Sequence, residues 1–155
     1  MAGVGVDFEA LFDGLISHQA ASGFFEVVAR HEPKNPPGQG ITCASWFQRM
    51  LPSQRVSGLN VTSLYLEFVT RLYTNMLAED QDEIDPQVLR ATGHLFRLYS
   101  EDFELGGRVM EVDLLGSHGQ PLEAKAGYLA MGRVLYRVFD VITPLVVADV
   151  WDQVP

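Results

Sequence analysis

Residues Val61–Met76 read VTSLYLEFVTRLYTNM, the clearest two-residue period in the chain. One set of alternating positions is mostly apolar: Leu64, Leu66, Phe68, Thr70 and Leu72. The intervening set is Ser63, Tyr65, Glu67, Val69, Arg71 and Tyr73. Because successive side chains of a strand point to opposite faces, the stretch predicts a strand with one face in a core and the other in water or against a partner. We expect Thr74–Met76 to extend beyond the body as part of a long β-hairpin.

Further extended segments are predicted on both sides of this strand. They are Phe24–Arg30, Ile41–Leu51, Met110–Leu114, Ala126–Met131 and Val134–Ile142. Segments rich in proline and glycine, 31–40 and 116–125, are predicted loops. Pro144 is expected to interrupt the ladder because it has no N–H donor, which leaves Leu145–Val150 as a short edge strand or an arm.

Two helices are predicted from capping residues and apolar spacing. Asp7 is a candidate N-cap for a helix that Gly23 ends, and Asp85 followed by Pro86 is a candidate start for the second. The predicted buried stripes contain Phe8, Leu11, Phe12, Leu15 and Ile16 in the first helix, and Val88, Ala91, Leu95, Phe96 and Tyr99 in the second. Their three- and four-residue steps place each set on one side of a helix.

The order of elements favours an α+β fold in a single domain spanning residues 1–155, with a mostly antiparallel sheet, two helices on one face and an extended β-hairpin. The other face of the sheet is then uncovered, and it carries apolar residues. A partner subunit is the simplest cover for such a face. The residues predicted to contact a neighbouring subunit are Tyr65, Val69, Tyr73, Met76, Leu145, Val147 and Trp151.

The composition is that of an ordinary globular protein, with 47% hydrophobic and 20% charged residues and a net charge of −9. This charge has the wrong sign for a protein that grips nucleic acid, although an acidic wall would let a duplex slide past. The single cysteine, Cys43, cannot form an internal disulfide. The sequence shows no secretion signal and no apolar run of membrane-spanning length, so we expect a soluble protein made in the cytoplasm, without a membrane partner.

The sequence offers little that suggests catalysis or metal binding. An acidic run comprises Glu79, Asp80, Asp82, Glu83 and Asp85. This run lacks EF-hand spacing, and negative charge before a helix is favoured by the helix dipole. Ser117 and His118 are adjacent in a glycine-flanked loop, but they do not match a nucleophile elbow and are better explained as a turn. We therefore predict a protein that is not an enzyme, with no catalytic, cofactor-binding or metal-ligating residues.

Short phrases along almost the whole chain resemble the tail terminator proteins, often called minor tail proteins, of long-tailed phages that infect actinobacteria. The matching phrases are ALFDGL (10–15) followed by His18, HEPK (31–34), RLYTNM (71–76), Asp82 with IDP (84–86), DLLG (113–116), AGY (126–128), YR (136–137) and DVW (149–151). None of these phrases is a mechanistic motif. Their specificity comes from their order and number.

The resemblance implies a structural virion protein that forms a ring, typically hexameric, on the head-proximal end of the tail tube. Such a ring stops tube growth at the correct length and presents a docking surface to the neck, or head-tail connector. It also implies a sheet with helices on one side and an extended hairpin. The expected partners are copies of the chain itself, the tail tube protein and the neck protein, with DNA passing through the lumen. The expected location is the virion tail, after assembly in the host cytoplasm.

Three alternatives remain open from the sequence. A neck or head-completion protein also forms rings between head and tail. A small hydrolase would use Ser117 and His118, so that Ser117→Ala would lower its activity by orders of magnitude. A monomeric module that binds a small ligand would not self-associate.

Overall fold

The computed structural model describes residues 6–33, 40–54, 57–76 and 81–154 of the chain. The elements in order are α1 (Phe8–Ala21), β1 (Val27–Ala29), β2 (Thr42–Pro52), β3 (Val61–Asn75), a 3-10 turn (Gln81–Glu83), α2 (Ile84–Glu101), β4 (Glu111–Val112), β5 (Glu123–Met131) and β6 (Val134–Asp152). Positions 34–39 of the predicted loop 31–40 and two residues of the acidic run, Glu79 and Asp80, lie outside the described residues.

The strands form one sheet in the order β1-β2-β3-β6-β4, and β5 also pairs with β6 on the side opposite β3. Only the β1–β2 pair is parallel among the described strands, and the others are antiparallel. The predicted α+β fold class is thereby confirmed. Strands β2 and β3 form a long antiparallel hairpin. Thr74 and Asn75, at the C-terminal end of β3, pair with Arg137 and Tyr136 of β6.

The alternation in β3 divides the sheet into two faces as predicted. Leu64, Leu66, Phe68 and Leu72 belong to a buried cluster that includes residues of both helices, and we call this side the helix face. The members contributed by the helices are Leu11, Leu15, Val88, Ala91, Leu95 and Tyr99. The other side, which carries Tyr65, Glu67, Val69, Arg71 and Tyr73, is the far face.

Helix α1 begins and ends where the sequence predicts. The Asp7 carboxylate accepts a hydrogen bond from the Ala10 backbone N–H at 3.0 Å, which satisfies one of the unpaired donors of the first turn. The helix ends at Ala21, and Gly23 has a φ of +76°. Glycine enters this left-handed region without the steric cost that a Cβ imposes, so the chain turns away there.

Helix α2 begins one residue before the predicted N-cap, and Asp85 does not cap it. The 3-10 turn runs directly into the helix, whose N-cap is Glu83 without a side-chain capping bond. Asp85 instead lies in the first turn and pairs with Arg137 of β6, with the Arg137 Nε 2.8 Å from the Asp85 Oδ1. The carboxylate therefore ties the start of α2 to the sheet.

The predicted break at Pro144 is wrong, because β6 runs unbroken from Val134 to Asp152. In an antiparallel strand, the N–H and C=O of one residue point to the same side. The Pro144 carbonyl accepts from the Asp113 N–H at 2.9 Å, so the missing N–H also lies on that side, away from β3. Pro144 sits between the stretch of β6 that pairs with β5 and the stretch that pairs with β4, so the ladder to β3 loses no donor.

Two other predicted strands are present but shorter than expected. The segment Phe24–Arg30 contains only the three residues of β1, which pair in parallel with Thr42–Ala44. The segment Met110–Leu114 contains only the two residues of β4.

Cys43 lies in the core of the helix face with no exposed surface. Burial raises the pKa of its thiol, because the thiolate would lose its hydration. We expect the native protein to react with a thiol-specific reagent at least roughly 10³-fold more slowly than the urea-unfolded protein, since reaction requires global opening. A stopped-flow absorbance assay at one pH measures both rates. Equal rates would show that the thiol is accessible in the folded state.

Candidate assembly surfaces

Five of the seven residues predicted to contact a neighbour are enclosed by the chain itself. Tyr65, Val69, Tyr73, Leu145 and Val147 are buried. Strands β3 and β6 are central in the sheet, and the outer side of β6 is paired with β5 from Val134 to Ile142 and with β4 at Leu145 and Val146. The expectation of a bare sheet face at these positions therefore needs correction. Of the other two, Trp151 is 43% exposed and Met76 is partly exposed, and their contact with a neighbour stays a prediction.

A loop covers one end of the far face at Tyr65. The Tyr65 hydroxyl accepts a hydrogen bond from the Gln120 N–H at 2.8 Å and donates to the Glu67 carboxylate at 3.2 Å. A Cβ at Gly119 would lie only 2.9 Å from the tyrosine Cζ, which shows how closely the loop approaches the ring. Burial raises the pKa of Tyr65 to about 12. This end of the far face is covered by the chain's own backbone.

A charged network covers the middle of the far face. The Arg71 guanidinium forms a two-point ion pair with Asp140, with Nε–Oδ1 and Nη2–Oδ2 distances of 2.5 and 2.9 Å. The guanidinium carbon also lies 5.4 Å from the centre of the Trp46 ring and 5.9 Å from that of Tyr73. Hydrogen bonding to Asp140 raises the pKa of Arg71 further above its ordinary value. These contacts satisfy the charges on this face within one subunit.

The sheet has an unpaired edge on β2. Strand β1 pairs with Thr42, Cys43 and Ala44 only. In the part of the chain that the structure describes, no strand pairs with the outer side of β2 from Ser45 to Pro52. Exposed backbone donors and acceptors of this kind are sites where another strand can add.

On the opposite side of the sheet, β5 is also unpaired on its outer side. All nine of its residues pair with β6, and no described strand lies beyond it. The Tyr128 side chain is 63% exposed, and its ring lies 4.4 Å from the Arg137 guanidinium carbon. Among the described residues, β2 beyond Ala44 and β5 thus present unpaired strand edges on opposite sides of one sheet.

An apolar groove lies on the helix face beside the free edge of β2. Its volume is about 240 Å³, and its lining residues are Phe8, Phe12, Phe47, Met50, Leu66 and Phe68. An irregularity in the pairing between Phe47 and Arg49 places both Phe47 and Met50 on the helix face. Both side chains are almost half exposed, at 47% and 46%. No signal in the sequence marks this groove, because it depends on the shift in register within β2.

The Ser117–His118 loop is organised as a turn. The buried Asp113 carboxylate accepts hydrogen bonds from the backbone N–H groups of Ser117 and His118, at 2.8 and 2.9 Å. The His118 Nε2 lies 2.5 Å from the Glu111 Oε1. Its Nδ1 is buried and has no hydrogen-bond partner among the described residues. The His118 imidazole therefore pairs with the Glu111 carboxylate of β4.

The described residues contain no group of three or more His, Cys, Asp or Glu side chains arranged to hold a metal ion. Within the same ranges, neither helix combines the length and apolar character needed to cross a membrane.

No protein-family model matches the sequence, and neither does any curated protein. Among solved structures, the chain is similar to the sheath/tube terminator of an extracellular contractile injection system, PVC, in its extended state. The sequence identity is 7% and the TM-score is 0.48, and the alignment covers 97% of this chain and 61% of the other. The chain thus spans less than two thirds of that structure's length. A likeness this weak adds no argument about function.

Proposed function

We propose that the protein is a structural subunit that assembles with copies of itself into a ring at the head-proximal end of a phage tail tube. There it ends tube polymerisation and provides the surface onto which the neck docks. The proposal takes this role from the resemblance of the sequence to tail terminator proteins. The observation that carries it is that, in the described residues, β2 beyond Ala44 and β5 are unpaired on their outer sides and lie on opposite sides of one sheet.

Two different free edges favour a head-to-tail contact. When a contact joins two different patches of the same subunit, each added copy presents a new free patch. A rotation that closes on itself then gives a ring rather than an open filament. A closed ring is suited to ending a tube, because it can cover the axial end at which further tube subunits would add.

The charge of the chain supports passage of DNA through the ring. Each subunit contributes a net charge of −9, so the assembled ring is strongly acidic. An acidic surface repels the phosphate backbone, which keeps the duplex from adhering while it moves through the lumen.

Deleting the gene for this chain from the phage that encodes it tests the proposed role. We expect electron micrographs of the lysate to show headless tubes much longer than normal tails, because nothing stops polymerisation. Supplying the wild-type chain from a plasmid should restore tails of normal length. Normal-length tails separated from heads would overturn the proposal and indicate a neck ring. Finished virions with normal tails would also overturn it.

A further inference from the structure

We propose that, within the ring, β5 of one copy adds to the free edge of β2 in the next copy, and that Tyr128 enters the apolar groove beside that edge. This inference rests on the proposed assembly and specifies the contact. The occupant of the groove is therefore a second copy of this chain. Three features of the described residues support the pairing: strand direction, backbone orientation and the fit of Tyr128.

Strand direction is compatible with the pairing. Strands β2, β3, β6 and β5 are consecutive neighbours, and each pair is antiparallel. β5 therefore runs opposite to β2 within one copy. If the strands follow the ring axis, rotation about that axis preserves their directions, so β5 of one copy meets β2 of the next as an antiparallel pair. Antiparallel pairing is the slightly more stable arrangement per residue.

The backbone groups at both free edges belong to residues whose side chains lie on the helix face. The Met76 N–H donates to the Leu135 carbonyl, so odd-numbered residues of β6 point their backbone groups at β3. The Pro144 carbonyl accepts from Asp113, so even-numbered residues point the other way, toward β4 and β5. Along each strand, the backbone N–H and C=O groups of successive residues point to alternate sides. The paired residues of neighbouring strands therefore fix which residues of β2 and β5 point outward.

The residues with outward backbone groups follow from this alternation. On β5 they are Ala124, Ala126, Tyr128 and Ala130. On the free part of β2 they include Phe47 and Met50, the two exposed residues that line the groove. Directly opposed residues of an antiparallel pair place their side chains on the same face. When β5 adds to β2, the Tyr128 side chain therefore lies on the helix face, which is the side that carries the groove.

The groove is large enough to accept the Tyr128 ring. Its volume is about 240 Å³, whereas an apolar cavity of about 150 Å³ holds a benzene molecule. A buried tyrosine hydroxyl needs a hydrogen-bond partner. Because the groove is open on one side, water can be that partner for the Tyr128 hydroxyl. The Arg137 guanidinium that contacts the ring in one copy would remain at the rim of the contact.

A proline substitution at two adjacent positions of β5 tests the pairing. Ala126 points its N–H outward, so Ala126→Pro removes a donor only from the free edge. Gly127 points its N–H at β6, so Gly127→Pro removes a bond from the sheet itself. A Cβ at Gly127 would lie 3.8 Å from Val138, an ordinary contact, so the expected loss comes from the missing N–H and from the proline Cδ that takes its place against β6. The two variants separate assembly from folding.

The measurements are sedimentation velocity over a range of concentrations and thermal unfolding, both on the purified full chain. We expect the wild-type chain to form a closed oligomer and Ala126→Pro to remain monomeric, with self-association at least about 100-fold weaker and a melting temperature within a few degrees of wild type. Gly127→Pro should lower the melting temperature clearly. Tyr128→Asp should also weaken assembly, and Tyr128→Phe should retain it.

The inference is overturned if Ala126→Pro and Tyr128→Asp assemble like wild type, or if the wild-type chain stays monomeric up to its solubility limit. These experiments use no tube or head protein. A chain that forms the predicted ring but fails the tail-length test would keep this contact and lose the proposed function.

Discussion

Replacing Tyr73 with Asp is expected to unfold the protein. The Tyr73 ring is only 1% exposed and packs edge-on against Tyr136, with ring centres 6.2 Å apart. Loss of a buried aromatic side chain costs about 3–5 kcal/mol, and burial of a second carboxylate beside the Arg71–Asp140 pair adds to this cost. The sum approaches the roughly 5–15 kcal/mol that holds a typical domain together. The expected result in a urea titration followed by circular dichroism is the loss of the cooperative transition.

Trp151→Asp is the matched control, because it introduces the same charge at a position that is 43% exposed. We expect its unfolding free energy to stay within about 1 kcal/mol of wild type. A Tyr73→Asp protein that remained as stable as the control, yet failed to assemble, would contradict the conclusion that the far face is buried within one subunit. That result would restore the uncovered sheet face that the sequence analysis predicted.

The local elements of the fold could be predicted because their signals are local. The alternation in Val61–Asn75 defined β3 and its two faces, since a strand has only two sides. The Asp7 carboxylate and Gly23 mark the two ends of α1, because capping and a positive φ depend on a few neighbouring residues.

The assembly surfaces could not be predicted because they depend on the order of the strands. The sequence showed that β3 and the segment after Pro144 are apolar, but not that both belong to central strands of the sheet. Pro144 itself is tolerated only because its missing donor points away from β3. Tyr128 and Met50 appear as unremarkable residues until the order places their strands at opposite edges of the sheet. Strand order is set by contacts between distant segments, which alternation alone does not reveal.

Gln19→Ala is expected to destabilise the protein by about 2–4 kcal/mol. Gln19 lies on α1 with no exposed surface, and its amide joins the helix to two strands. The amide nitrogen donates to the Ser45 hydroxyl at 2.7 Å and to the Thr70 hydroxyl at 3.1 Å. The amide oxygen accepts from the Cys43 thiol at 3.3 Å. Truncation leaves the Ser45 and Thr70 hydroxyls and the Cys43 thiol buried with fewer hydrogen-bond partners. It also leaves a cavity, and a water molecule that enters it must be ordered.

The effect of Gln19→Ala should reach assembly as well as stability. Helix α1 also supplies Phe8 and Phe12, which line the groove beside β2. If the amide holds α1 against the sheet, its loss should loosen this wall and weaken self-association in sedimentation velocity. Gln87→Ala on the exposed side of α2 is the control, and its unfolding free energy should change by less than about 0.5 kcal/mol. Equal unfolding curves for the two variants would show that the buried amide does not anchor the helix.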